Sequence, residues 1–340
     1  MEAKEFEGEL KEKTVWIEGV IREYLPREEG PQKRIMEAMN YSMTAGGKRL
    51  RPLLLWEVFN MCGGKEASLA KPFMAAIEMI HNYSLVHDDL PAMDNDEFRR
   101  GRETTWRVYG NAMGVLAGDG LLNYAFETAL LALESAGIGK QNSCGEEKFC
   151  CQGEREDCQE ECVCCQGEEE KGFLASERLA QVSKALMVLA RKAGIYGMIG
   201  GQTVDILSEG ALKEHEEQIL FIHANKTAAL IQAAMMMGAI LAGACEEQVD
   251  RIEKCAYNLG IAFQIQDDIL DVTGDSGKLG KPTGSDDRNH KQTYVTWKGL
   301  AQAKADVEEL SQEAVAILDE FTGEHEFLRM LILNLIHRQG

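Results

Sequence analysis

Apolar residues recur at helical spacing along almost the whole chain. Between residues 69 and 89, Ala76, Ile77, Ile80, Ser84 and Asp88 follow one helical face. The same period predicts helices over 32–41, 112–132, 177–199, 213–241, 247–272 and 302–321, and a short one over 328–336. A further helix is expected to follow Pro52, with Leu55, Val58 and Phe59 on its apolar face, because proline fits a first helical turn. No strand–helix alternation and no series of hairpins is present. The pattern therefore predicts an all-α fold, a bundle of long helices.

Composition sharpens this picture. The chain has 340 residues and only 6 prolines, and it is rich in Ala, Leu, Met, Glu and Lys, which favours long helices over sheets. That length suffices for a large core in one or two domains; the expectation is one domain over residues 1–340. A net charge of −20 argues against nucleic-acid binding, which needs a basic footprint. Residues 1–10 are charged and lack the apolar core of a signal peptide, and no uninterrupted apolar run reaches about 18 residues. A soluble, cytoplasmic protein without a transmembrane segment is expected.

One stretch breaks the pattern. Seven of the ten cysteines fall within residues 139–172: Cys144, Cys150, Cys151, Cys158, Cys162, Cys164 and Cys165. Glu, Gln and Gly fill the rest, with a near-repeat of Cys-Cys-Gln-Gly-Glu at 150–154 and 164–168. Such a segment cannot supply a core and reads as a surface insertion between two helices. A reduced solvated loop and a thiolate metal site both suit its composition; disulfides suit a cytosolic setting least.

Two acidic clusters carry the candidate chemistry. Asp88, Asp89 and Asp94 form the first; Asp267, Asp268 and Asp271 form the second. Both lie on strongly apolar helical stretches, where carboxylates are costly to bury without neutralisation. Two facing sets of carboxylates suit hard divalent cations, which in turn hold phosphates. In the second cluster, Gln264, Asp267 and Asp271 share a helix face through their i, i+3 and i+4 spacing. In the first, Asp88 and Asp94 stand about 240° apart on an ideal helix. Pro91 between them is expected to distort the helix and return Asp94 to the side of Asp88. His81 and Ser84 fall on the face of Asp88.

Basic residues sit close by. Gly46-Gly47-Lys48-Arg49-Leu50-Arg51-Pro52 places glycines beside cations, a pattern suited to phosphate oxygens. Arg99 and Arg100 follow the first cluster, Lys226 and Thr227 lie inside a helix, and Lys281 and Lys291 follow the second cluster.

Taken in order, GGKRLRP (46–52), MIHNYSLVHDDLPAMDNDEFRRG (79–101), LAGDGLL (116–122), GGQTVD (200–205), HANKTAALI (223–231), FQIQDDILDVTGD (263–275) and KQTY (291–294) form one set. This set resembles the trans-isoprenyl diphosphate synthases of the farnesyl or geranylgeranyl type, over nearly the whole chain except the insertion. The resemblance implies helices around a deep central cavity, and about three Mg2+ ions. Asp88 and Asp94 would ligate two and Asp267 the third, with Asp89, Asp268 and Asp271 in support. It implies that Arg99, Lys226, Lys281 and Gln264 hold an allylic diphosphate. Lys48, Arg51, His81 and Arg100 would hold isopentenyl diphosphate, and Arg338 would close over it. Thr227 and Gln264 match positions near the forming carbocation. It also implies a homodimer, and no general base, because the departing diphosphate takes the proton.

Product length would follow from the cavity floor. Tyr83 lies five residues before Asp88, about 7.5 Å along a helix, beside Ser84. An aromatic residue there, with four residues between Asp89 and Asp94, resembles bacterial farnesyl diphosphate synthases and favours a C15 product. A core aromatic with no such role is the plainer alternative. Trp106 departs from the histidine expected after the arginine pair.

Three other functions fit parts of the sequence. A class I terpene cyclase would carry an Asn/Ser/Glu motif in place of the second Asp cluster. A metal phosphohydrolase built on His87 and Asp88 would need further histidines, and His215, His223 and His290 are scattered. A silent prenyltransferase subunit would have lost motif residues, and none is lost.

Overall fold

The computed structural model describes residues 2–136, 163–208, 216–273 and 293–336, with side chains from residue 174 in the second stretch and from 217 in the third. The described residues are helical almost throughout. The helices are α1 (Ala3–Glu23), α2 (Lys33–Met43), α3 (Leu50–Met61), α4 (Ala67–Asp88), α5 (Thr105–Tyr109), α6 (Asn111–Leu130), α7 (Ala132–Ser135), α8 (Val163–Ala193), α9 (Met198–Ser208) and α10 (Glu216–Ile222). A π-helical turn, His223–Ala228, then leads into α11 (Ala229–Leu241). The chain continues as α12 (Glu246–Thr273), α13 (Tyr294–Lys298), α14 (Leu300–Leu318) and α15 (Glu326–Ile336). Two antiparallel two-residue strands, Phe98–Arg99 and Arg102–Glu103, follow the first acidic cluster.

α11 is the centre of the bundle. Every one of its residues is buried, as befits a helix that is apolar all round. It packs on α3, α8 and α12, while α4 packs on α6 and α12 on α14. The stretch Glu217–Leu241 is long and apolar enough to cross a membrane, but most of it is enclosed within the protein.

α5, α9, α13 and the two short strands were not expected from the sequence, and four further places differ. α1 was not foreseen, because its surface is densely charged; only Phe6, Ile17, Val20 and Ile21 are buried. The helix expected after Pro52 begins two residues earlier, at Leu50, with Pro52 still inside its first turn. The helix expected over 177–199 begins at Val163, so the last part of the insertion is helical, and it ends at Ala193 before Gly194 and Gly197. The stretch expected as one helix over 213–241 is divided by the π-turn.

One buried ion pair ties the site wall together. Arg49, in a left-handed conformation (φ 48°), donates from Nη1 to Glu78 Oε1 at 2.8 Å and from Nη2 to the Met43 carbonyl at 2.7 Å. Both side chains are almost fully enclosed. The pair locks the glycine-rich turn before α3 onto α4.

Candidate active site

The first acidic motif forms where α4 stops. Pro91 has no N–H to continue the helix, and the chain folds back instead. The Asp94 N–H donates to the Asp88 carbonyl at 2.9 Å, and Met93 and Asn95 both donate to the Leu90 carbonyl. Asn95 takes the left-handed conformation (φ 55°) that asparagine tolerates. Asp94 is thus returned beside Asp88, as Pro91 led one to expect.

The three carboxylates have different surroundings. Asp89 is buried and receives Arg99 Nε at 2.6 Å. Asp88 accepts from Gln202 Nε2, on α9, at 2.8 Å. Burial pushes the Asp88 carboxyl up to about 6; Lys226 and Arg99 pull it down, while Asp94 and Asp89 push it further up. Asp94 is exposed.

Beside this motif stands a cluster of cations. Arg51 and Arg100 converge there from α3 and the strand turn, beside His81 of α4. Burial lowers the Arg51 guanidinium to about 10, with Arg100 adding to the effect and Glu78 opposing it. Its Nε is buried without a hydrogen-bond partner, an unmet donor. Burial, then Arg51, Arg100, Arg99 and Arg49, push His81 well below its ordinary value and keep it neutral. Arg100 donates to the Gly46 carbonyl. Gly47 makes room for it: a Cβ there would stand 2.8 Å from the Arg100 Cζ. Lys48 is exposed at the tip of the same turn. A cavity of about 30 Å³, enough for one water molecule, lies between Asp89, Asn82, Arg99, Arg100 and Thr104.

The opposite wall is α9, the π-turn and α12. Gly201 lets α9 press on the π-turn, since a Cβ there would collide with the Lys226 backbone nitrogen. Lys226 pairs with Asp205 of α9. The Thr227 hydroxyl donates to Gln264 Oε1 at 2.7 Å, and Gln264 Nε2 donates to Asp268 Oδ1 at 3.3 Å. Asp268 is buried and accepts the Tyr294 N–H at 2.9 Å. Asp267 and Asp271 are half-buried on the regular helix α12. Burial pushes the nearby His223 down to about 4, with Asp205 opposing, so it is neutral.

Below Asp88, Tyr83 is 5% exposed, and its ring meets that of His87 edge-on at 5.9 Å. Its hydroxyl has no partner, and burial, with Asp88 nearby, pushes it up to about 12. Ser84 donates to the His81 carbonyl at 2.8 Å. Trp106 donates from Nε1 to the Asp96 carbonyl at 3.0 Å and so pins the segment that carries Arg99 and Arg100.

The polyprenyl synthetase family pattern matches residues 32–153 and 172–327, so its interruption falls within the cysteine-rich insertion. The chain belongs to the polyprenyl synthetase family. Members of this family are prenyltransferases. The chain is 40% identical over 295 residues to farnesyl diphosphate synthase of Geobacillus stearothermophilus, covering 87% of this chain and 85% of that one. It is 38% identical over 303 residues to the chloroplastic geranylgeranyl pyrophosphate synthase of Catharanthus roseus, covering 89% and 73%. Its structure matches an FPP/GFPP synthase of Zymomonas mobilis with a TM-score of 0.75 at 29% identity, over 98% of this chain and 100% of the other. It also matches a geranyltransferase of Helicobacter pylori, solved with magnesium and isoprenyl diphosphate, with a TM-score of 0.71 at 26% identity, over 97% and 95%. The isoprenoid synthase fold is all-α, in agreement with the periodicity of the chain.

Gln202, Asp205, His223 and Tyr294 were given no role from sequence, although each lies within a motif of the family set. The three-residue spacing of Gln202 and Asp205 was the available signal, since it puts both on one face of α9. Lys281, Lys291 and Arg338 lie outside the described residues.

Proposed function

We propose that this polyprenyl synthetase catalyses Mg2+-dependent head-to-tail condensation of isopentenyl diphosphate with dimethylallyl or geranyl diphosphate, giving mainly farnesyl diphosphate (C15). The observation that carries the proposal is the pair of cation groups flanking one acidic motif. Arg99 and Lys226 act on Asp88, and Arg51, Arg100 and Arg99 act on the neutral His81 beside it. Two diphosphates need two such groups; a hydrolase or cyclase needs one.

The carboxylates suit Mg2+. Asp88 is hard to ionise amid burial and neighbouring charge, a penalty that a bound cation relieves. Among the described residues no three His, Cys, Asp or Glu side chains form a ready cage. That suits an ion that keeps several waters and takes one or two carboxylates together with substrate phosphates. Asp88 and Asp94 would hold two ions and Asp267 a third, with Asp89, Asp268 and Asp271 behind them. Bound there, Mg2+ supplies charge neutralisation that makes the allylic diphosphate a better leaving group.

The chain's own groups do the rest. Arg99, Lys226, Gln264 and Lys281 orient the allylic diphosphate; Arg99 and Lys226 exchange their carboxylate partners for phosphate oxygens. Arg51, Arg100, Lys48 and neutral His81 hold isopentenyl diphosphate, and the orphan Arg51 Nε gains an acceptor. Ionisation leaves an allylic cation, to which the oxygens of Thr227 and Gln264 present their dipoles. The apolar interior excludes water that would quench it. The double bond of isopentenyl diphosphate attacks, and the released diphosphate takes the proton.

Tyr83 closes the pocket beneath Asp88, with Ser84 beside it, and so limits the chain to C15. A C20 product is the second candidate, because the similar proteins include a geranylgeranyl as well as a farnesyl synthase. We assign a homodimer, for which exposed apolar residues such as Leu116, Leu130, Met187 and Tyr196 offer contact surface, and a cytoplasmic location. Light scattering of the purified protein tests the assembly. Incubation with Mg2+, dimethylallyl diphosphate and isopentenyl diphosphate, with products resolved by length, tests the function. A dominant C15 product is expected. A C20 product would reject the Tyr83 floor, and no condensation would point to a silent subunit.

A further inference from the structure

The π-turn touches the second acidic motif twice. Thr227 makes one contact, through Gln264. The other comes from His223, which opens the turn and plays no part in the chemistry above. His223 is 6% exposed. Its Nε2 lies 3.5 Å from Asp268 Oδ2, and its ring stacks on Tyr294 with centroids 6.0 Å apart. Its Nδ1 is buried without a partner, so Nε2 is the nitrogen aimed at an acceptor.

The contacts close a ring: His223 to Asp268, Asp268 to Gln264, Gln264 to Thr227, and Thr227 back along the turn to His223. The ring decides the orientation of an amide. With Gln264 Nε2 committed to Asp268, only Oε1 can meet the Thr227 hydroxyl. If the Asp268 carboxylate rotates, the amide loses its anchor. The Tyr294 N–H holds one edge of Asp268 Oδ2, and His223 approaches the same oxygen from the π-turn. Site hydrogen bonds that are long without ligand commonly tighten when the site is loaded.

We propose that His223 is a positioning residue: it donates from Nε2 to Asp268, and through Asp268 it fixes the Gln264 amide at the allylic end of the site. The assignment of that end rests on the function proposed above. The ring itself does not.

Two substitutions separate positioning from packing. His223→Phe keeps the stack on Tyr294 but removes the donor; His223→Gln restores an N–H at similar reach. In H223F, kcat is expected to fall about tenfold, a barrier change of about 1.4 kcal/mol, and the KM for allylic diphosphate to rise. The KM for isopentenyl diphosphate stays unchanged, and H223Q recovers most of the loss. Calorimetry with Mg2+ and inorganic diphosphate supplies a readout without turnover: affinity falls in H223F and returns in H223Q. H223F equal to wild type, H223Q no better than H223F, or a parallel rise in both KM values overturns the proposal. If wild type binds Mg2+-diphosphate but forms no prenyl chain, the functional proposal fails while calorimetry still decides the role of His223. Should H223F not fold, the imidazole 15N spectrum of wild type decides: protonation at Nε2 is expected, and protonation at Nδ1 overturns the assignment.

Discussion

Asp89 and Asp268 hold the same place in the two acidic motifs, yet the fold secures them differently. Each is the second aspartate of a pair, and each is turned inward and buried. Asp89 is gripped by the guanidinium of Arg99, ten residues along the chain on a short strand. Asp268 receives a backbone N–H from Tyr294 and a side-chain amide from Gln264. The backbones differ too. The first motif breaks its helix at Pro91 to bring Asp94 back, whereas the second rides one unbroken helix. Among the described residues, an ion pair holds the irregular motif, and aligned dipoles contribute to holding the regular one. A broken helix end has no periodicity to hold its carboxylates in place, so a strong local partner fixes them. A continuous helix already fixes direction and needs only to stop rotation.

The largest expected effect treats the motifs as equals. Asp88→Ala and Asp267→Ala should each lower condensation by about a thousandfold or more, the scale of losing a key electrostatic group. An assay with labelled isopentenyl diphosphate checks this; one motif proving dispensable would break the parallel. The next test separates the anchors. Arg99→Met strands a buried carboxylate and should destabilise the ligand-free protein by about 3–5 kcal/mol. Gln264→Leu removes one dipolar donor and should cost about 1–2 kcal/mol. Urea titration of both variants measures the gap, and equal losses would abolish the distinction.

Tyr83→Ala should leave both motifs working and lengthen the product beyond C15, read by chromatography of the hydrolysed prenols. The smallest effect concerns pH. Burial raises Asp88 to about 6, so the folded protein resists its ionisation. A raised carboxyl is a cost fully present above the folded value, and it fades as pH falls through about 6 toward the unfolded value near 4. Asp88→Asn should therefore stabilise the Mg2+-free protein by about 1–2 kcal/mol at pH 7.5, and by little near pH 4. Thermal melts across that range test it.

Much of the fold was legible because most helices carry periodic apolar faces; α4, α6, α12 and α14 fall close to where the pattern put them. α1 was missed because four buried residues are too sparse a signal within a charged stretch. The π-turn was missed because its shift of helical phase does not show beside α11, which is apolar all round. At the site, the i, i+4 relation of Asp267 and Asp271 and the return of Asp94 past Pro91 were readable, since both are local backbone facts. The partners were not. That Arg49 locks onto Glu78 while nearby Arg51 keeps an orphan Nε depends on how α3 lies against α4. Gln202 reaching Asp88 depends on α9, more than a hundred residues away.

The sequence by itself determined an all-helical chain, two carboxylate clusters, their local geometry and the set of cations near them in order. Those features follow from period, proline and residue type, which act within a turn or two. Tertiary structure alone decided which carboxylates face inward, which arginine is neutralised, and which histidines stay neutral. Burial and charge neighbours are set by helices brought together from distant parts of the chain, and desolvation exists only once they pack.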